Sequence, residues 1–355
     1  MIVPFFIPHQ GCGHRCVFCN QNDITGDCDR IPSGSELLAR IAHYRASDGD
    51  VQVEVAFFGG TFTALPRPLQ ESLLRPLQPL LVSGEVSALR VSTRPDEIDE
   101  KKVSFLREMG VGTVELGIQS MDDEVLEFSG RGHTAEVVEQ AFRVLKLCGM
   151  KVGAQLMPGL PGDTPVRSLT SMQRVIALDP DFFRIYPTLV LAGTKLASLY
   201  LDGLYAPLTL ASAVKLCKLM LHRALKASIP VIRIGLQPTD ALMAEGVVIA
   251  GPLHPAFRQL VESELCYDLL VFLAGALPRD TPVTIVCASE RVSDVSGQRR
   301  ANIERLGSHL GVRVLAVAAD RLFSRHELEL RGDNFSMKGN IVQDLHYNME
   351  DISIV

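Results

Sequence analysis

Short apolar runs rich in β-branched and aromatic residues recur along the first two-thirds of the chain, at residues 2–8, 51–58, 86–92, 113–119, 151–157, 182–190 and 231–236. Between them, apolar positions return at helical spacing over residues 34–45, 69–81, 97–109, 135–148, 167–178 and 210–227. Strand–helix alternation of this kind predicts βα units and a parallel sheet. Several runs are almost unbroken apolar stretches, the pattern of strands covered on both faces. Six or seven such units predict an α/β fold built as a partial (β/α)6-type barrel, with a doubly wound open sheet as the rival. The barrel is favoured because chemically suggestive residues recur at the C-terminal ends of successive runs, the rim on which barrel sites are built.

The rhythm thins after residue 250. A loop at 251–255 leads into a helix over 257–277, a strand at 282–288, a helix over 295–310 and a strand at 312–318. This predicts two domains, a barrel over 1–250 and a small C-terminal α+β domain over 251–355. Composition agrees with two packed cores: 47% of residues are hydrophobic and 21% charged, which excludes long disorder. A net charge of −6 disfavours a protein that coats polyanions, because such binding needs clustered cations. No uncharged apolar run reaches the ~18 residues of a spanning helix. The apolar N-terminus has no basic region before it. No membrane partner is expected, and the expected location is cytoplasmic.

Eight cysteines sharpen the picture. Cys148, Cys217, Cys266 and Cys287 are scattered in apolar segments and read as buried thiols. Cys12, Cys16 and Cys19 instead form a C-x3-C-x2-C loop directly after the first strand run, with Phe18 before the last cysteine and Cys28 following. Thiolates are soft ligands that suit iron–sulfur clusters or zinc. Three of them hold three irons of a 4Fe–4S cube and leave the fourth open. Zinc wants a fourth protein ligand, for which His14 and Cys28 are the candidates. The position of the loop, at the top of the barrel, favours the cluster.

Other strand ends add polar groups. Gly59-Gly60-Thr61 ends the second run, and adjacent glycines let a ligand approach the backbone. Ser92 lies at the end of the third, where Arg94 reads as a surface partner of Asp96 or Glu97. Glu115 and Gln119 stand in a buried run and need partners. Arg131 carries the fork that suits a carboxylate, and His133 is either a neighbour of a helix N-cap at Thr134 or catalytic. Gln155 and Met157 end the fifth run, Met157 reading as core. Tyr186, Thr188, Arg233 and Gln237 are substrate-side expectations. The basic stretch 296–302 reads as a solvated helix start.

The cysteine loop resembles the signature of the radical S-adenosylmethionine (SAM) superfamily, a similarity that runs from about residue 2 to 238. The resemblance implies that Cys12, Cys16 and Cys19 hold a 4Fe–4S cluster whose open iron takes the amino and carboxylate groups of SAM. It implies reductive cleavage of SAM to methionine and a 5′-deoxyadenosyl radical that abstracts a substrate hydrogen. It also places Phe18, Gly59, Gly60, Thr61, Ser92, Gln119, Arg131 and Gln155 around SAM, with Gln155 where relatives carry an acidic residue for the ribose hydroxyls. Residues 115–123, 130–134, 157–162 and 185–190 are most similar to the Elongator catalytic-subunit group, which implies tRNA as substrate. The cysteine loop is more compact than that group's, and no acetyl-CoA pyrophosphate loop is found. A small metabolite or tetrapyrrole-like molecule is the alternative substrate class, and a non-enzymatic metal-binding protein the alternative to an enzyme. An external one-electron donor is expected as partner, and the catalytic residues are left unassigned.

Overall fold

The structure, a computed structural model, describes residues 1–21, 31–48 and 52–348. Thirteen strands among them are labelled in chain order. The first six are β1 (Ile2–Phe6), β2 (Glu54–Phe58), β3 (Ala88–Thr93), β4 (Val111–Gln119), β5 (Lys151–Leu156) and β6 (Phe182–Ile185). With β8 (Val231–Ile234) they make one sheet in the order β1-β2-β3-β4-β5-β6-β8. All five pairings from β1 to β6 are parallel. The result is the expected α/β fold, a parallel sheet curled into a partial barrel with its helices outside.

Period-two alternation separates the faces of this sheet. Val55, Phe57, Leu89, Val91, Val114, Leu116, Ile118, Val152, Ala154, Leu156, Phe183 and Ile185 form the buried apolar face. The alternate positions carry Glu54, Arg90, Ser92, Glu115, Gln119, Gln155 and Arg184 on the inner face. Helices start where side chains satisfy their free N–H groups: Asp99, Asp122 and Thr164 each accept a backbone N–H of the first turn.

Proline explains the main departures from the predicted elements. The run at 182–190 is two strands, β6 and the short β7 (Val190–Leu191), because Pro187 has no N–H to give a ladder. β7 pairs antiparallel with β9 (Val248–Ala250). The helix predicted over 69–81 is Arg67–Leu74, a 3-10 turn and Gln78–Val82, with Pro76 and Pro79 at the restarts.

The chain divides into two compact units, Met1–Leu208 with Leu236–Leu253, and Thr209–Gly235 with His254–Val355. In the second, β10 (Pro282–Cys287), β11 (Arg313–Ala319), β12 (Glu327–Arg331) and β13 (Ser336–Asn340) form a four-stranded sheet in the order β11-β10-β12-β13. The helix Phe257–Ala274 packs on it, Leu269 and Leu273 filling the space above Gly339. The β12–β13 hairpin went unread in the sequence, although Glu327-Leu-Glu-Leu-Arg331 alternates charged and apolar residues at the strand period. The helix predicted over 295–310 is two helices, Val292–Ser296 and Ala301–Leu310. Between them Gly297, Arg299 and Arg300 take positive φ, and the buried Asn302 amide donates to the carbonyls of Ser263, Asp294 and Val295. Among the described residues, no helix is long and apolar enough to cross a membrane.

Candidate active site

The cysteine loop leaves β1 and is locked to the end of β2. Ile7 N–H donates to the Phe58 carbonyl at 2.9 Å, one rung beyond the strands. The loop then turns sharply, with His9 at φ 54 and Gly11 at φ 74. Gln21 closes it: its side-chain oxygen accepts the N–H groups of His9 (2.6 Å) and Gly60 (2.8 Å), and its own N–H donates to His9 Nε2 (3.1 Å). Thr61 N–H donates to the Gln10 carbonyl at 2.8 Å. A Cβ on Gly60 (φ 59) would overlap the carbonyl oxygens of Gln10 and Ile7, and one on Gly11 would overlap that of Thr61. These glycines therefore let two backbones interlock. The N–H groups of Gly60 and Thr61, read in the sequence as open to a ligand, are engaged by the loop itself.

The far side of the loop is packed. Phe18 is buried with Val17, Val125, Leu160, Val190 and Leu196, and Cys16, Cys19 and Met157 lie against this cluster. Val17 N–H donates to the Ser129 carbonyl, and the Asn20 amide to that of Ala192. Phe18 is thus an anchor of the loop, and Met157 is core as expected.

Polar groups converge on the sulfurs. Cys12 Sγ lies 3.3 Å from Thr61 Oγ1. Arg131 NH1 is 3.2 Å from Cys16 Sγ, and its NH2 donates to the Gly117 carbonyl. Arg94 NH1 is 3.9 Å from the same sulfur. Gln155 donates to the Gln119 side-chain oxygen at 3.2 Å. Gln119 sits at φ 72 beside a register shift in β4, and its amide nitrogen lies over Gly117. The structure therefore brings Cys16, Arg131, Gln119 and Gln155 to one place, with Ser92 on β3 in register with Glu115 on β4. Burial, then the neighbouring cysteines, pushes the Cys19 thiol up to about 12. Burial also raises Cys12, against the Thr61 hydroxyl and the two arginines. His133 is buried, and burial, then Arg131, pushes it down to about 4. The buried atoms Arg131 Nε, His133 Nε2 and Ser129 Oγ have no hydrogen-bond partner among the described residues.

A family model of the radical SAM superfamily matches residues 6–168, and one of the Radical_SAM C-terminal domain matches residues 180–266. The chain belongs to the radical SAM superfamily. Curated relatives include the tRNA uridine(34) acetyltransferase of Methanocaldococcus jannaschii, 28% identical over 255 residues, 61% of this chain and 47% of that protein. The human Elongator complex protein 3 is 31% identical over 186 residues, 46% of this chain and 34% of that one. The chain spans about half or less of the length of these relatives. Among solved structures, the archaeal Methanocaldococcus infernus Elp3 with an N-terminal deletion superposes with a TM-score of 0.58 at 25% identity, covering 69% of this chain and 64% of that one.

The donor set of this radical SAM chain suits an iron–sulfur cluster. Burial, with the neighbouring cysteines, raises the Cys12 and Cys19 thiols, so their thiolates are costly without a positive centre, and a cluster supplies one. Among the described residues, no group of three His, Cys, Asp or Glu side chains is arranged to hold a single metal ion. The His14 ring lies against Gly132, and Cys28 is outside the described residues.

Below the rim, the inner face is an ion-paired floor. Arg90 bonds both Glu54 (2.8 Å) and Glu115 (2.6 Å), and Arg184 holds Glu115 (2.6 Å) and the Tyr186 hydroxyl (3.1 Å). The arginines stack on Phe182 and Phe58. This answers the question raised by Glu115: its partners are two guanidinium groups. Arg90, Arg184 and Glu54 were missed in the sequence, although their alternate spacing in apolar strands was a visible signal. Thr188 is a correction, because its hydroxyl donates to the Pro158 carbonyl at 3.0 Å instead of facing substrate. Arg94 is another: it pairs with Asp96 as expected, but buried rather than on the surface. Arg233 is half-buried on β8 and Gln237 exposed.

Proposed function

We propose that this chain binds a 4Fe–4S cluster through Cys12, Cys16 and Cys19, cleaves SAM reductively and abstracts a hydrogen from a tRNA substrate. The observation that carries the reading is the three-cysteine loop interlocked with β2 at the C-terminal rim of a parallel sheet, with Arg131, Gln119 and Gln155 converging beside Cys16. When bound, the cluster supplies one electron to SAM and, through its open iron, a place for the amino-acid end of SAM.

The chain's own residues orient and shield. Arg131 Nε has no partner among the described residues, and its guanidinium, held at Cys16 and the Gly117 carbonyl, is the cation suited to the SAM carboxylate. Gln119 and Gln155 are paired amides at hydrogen-bonding reach of one another, suited to the ribose and adenine edges of SAM. Ser92 adds a hydroxyl on the same face. The ion-paired floor and the Phe18 cluster exclude water from the centre, which protects a radical from stray hydrogen donors. An external one-electron donor completes the reaction. A tRNA substrate is supported by the printed function of the M. jannaschii relative. The acetyl transfer in that name is not carried over. The net charge of −6 favours a small-metabolite substrate as the second reading.

The test is anaerobic reconstitution with iron and sulfide, addition of SAM and dithionite, and chromatography for 5′-deoxyadenosine. Wild type is expected to form it, and Cys12→Ala/Cys16→Ala/Cys19→Ala none. Zinc without labile sulfide in the wild-type protein would overturn the reading. A gel shift with total tRNA separates the substrate classes: deoxyadenosine formation without any tRNA shift favours the small metabolite.

A further inference from the structure

Arg94 lies just beyond β3 and is 4% exposed. Its guanidinium is held on every side. Nε and NH2 bond the two carboxylate oxygens of Asp96 at 2.9 and 2.8 Å, NH2 also donates to the Arg131 backbone carbonyl, and NH1 lies 3.9 Å from Cys16 Sγ. Arg131 reaches the same sulfur from its own side at 3.2 Å. Two guanidinium groups thus converge on Cys16. Cys12 has a hydroxyl at 3.3 Å instead, and Cys19 faces the Gln21 side chain.

We propose that Arg94 is a positioning residue for the iron–sulfur centre: it holds Arg131 through the Arg131 carbonyl and sets a second cation against the Cys16 sulfur, so that the centre accepts an electron more readily. The inference rests on the reading of Cys12, Cys16 and Cys19 as cluster ligands. Reduction adds one negative charge, so a fixed cation stabilises the reduced form more than the oxidised one. Hydrogen bonds to ligand sulfurs act in the same direction, and burial strengthens both. One electron passes from an external donor, dithionite in the test, taking the cluster from its 2+ to its 1+ state; no bond breaks and no proton moves. Asp96 offsets part of the charge but fixes the direction of the fork.

The experiment compares wild type, Arg94→Gln and Arg94→Lys after anaerobic reconstitution. Iron and sulfide content and circular dichroism establish equal loading and folding. A reductive titration followed by electron paramagnetic resonance then reads the reduced-to-oxidised ratio at the potential where wild type is half reduced. That ratio is expected to fall at least threefold in Arg94→Gln and to recover part-way in Arg94→Lys, which keeps the charge and loses the fork. An Arg94→Gln protein with equal loading and an unchanged ratio overturns the proposal. Should Arg94→Gln fail to fold, Arg94→Lys decides: a lowered ratio supports the proposal and an unchanged one overturns it. A wild-type protein that binds no cluster overturns the functional reading itself, and this inference with it.

Discussion

Among the described residues, an arginine points at a cysteine sulfur in two places, one in each compact unit. In the first, Arg131 NH1 is 3.2 Å from Cys16 Sγ; in the second, Arg291 NH2 is 3.1 Å from Cys266 Sγ. The distances are alike and the surroundings opposite. Arg291 is 2% exposed and bonds Glu262 and Asp294, while Glu262 also takes Arg258 and Arg325. Cys266 is buried, and burial holds its thiol well above the ordinary range. At Cys16, two further cysteines share the loop, Asp96 serves Arg94, and among the described residues no carboxylate pairs with Arg131. One contact belongs to an arginine that is itself paired with two carboxylates, Glu262 and Asp294. The other belongs to Arg131, which meets the sulfur with no carboxylate of its own among the described residues. The carboxylates nearby, rather than the arginine–sulfur contact, separate a site from a core.

The sharpest break between the two regions is expected from the cysteines. Cys12→Ala/Cys16→Ala/Cys19→Ala should lose cluster absorbance, labile sulfide and 5′-deoxyadenosine together, while Cys266→Ala keeps all three. Loss of cluster in Cys266→Ala would erase the distinction. The arginines come next. Arg291→Met leaves Glu262 and Asp294 short of a buried partner and should cost about 3 kcal/mol of stability, the low end for a broken buried pair because Arg258 and Arg325 remain. Arg131→Met, with no carboxylate to strand, should cost less than half of that in denaturant melts while impairing SAM binding. Equal stability losses would show that both arginines are core.

Acid probes the second unit further. His222 is 4% exposed, lies 3.2 Å from the Ile341 carbonyl through Nε2 and stacks edge-on against Tyr347. Burial pushes it down to about 4. The unfolded chain therefore binds the proton more readily, so the stability this group contributes is present above about pH 6.5 and is lost as pH falls toward 4. The loss is at most about 3 kcal/mol. His222→Asn should flatten that limb of the stability profile, read by urea melts at several pH values, and an unchanged limb would rule His222 out as its source. The smallest effect is expected from Thr61→Val. It removes a hydroxyl 3.3 Å from Cys12 Sγ and should change stability by no more than about 1 kcal/mol, with cluster content unchanged. A shift in the reductive titration as large as that of Arg94→Gln would mean that the guanidinium groups hold no special place among the sulfur contacts.

Much of the sheet was legible because its strands are buried on one face by unbroken apolar alternates, as in Val114, Leu116 and Ile118. The cysteine loop was legible because three thiols at close spacing have few other uses. Arg94 was misplaced because local pairing with Asp96 is visible in sequence, while burial against a loop 78 positions away is not. Gln21 went unremarked for the same reason: its bond to the Gly60 N–H ties the loop to the end of β2, and only the meeting of β1 and β2 creates it. The pair Gly59-Gly60 was noticed as open backbone, yet its use depends on which chain approaches, here residues 7 and 10 of the loop.

By itself, then, the sequence determined the βα rhythm, the polar alternates at the strand ends and the soft-ligand loop, because periodicity, proline breaks and thiol spacing are local properties of the chain. Only the tertiary structure decided which sulfur receives the two guanidinium groups, which backbone N–H groups stay engaged, and which buried glutamate is paid off by which arginine. Those outcomes depend on sequence-distant strands meeting in register, and on the free energy of burying a charge, which is set by neighbours the chain brings in from elsewhere.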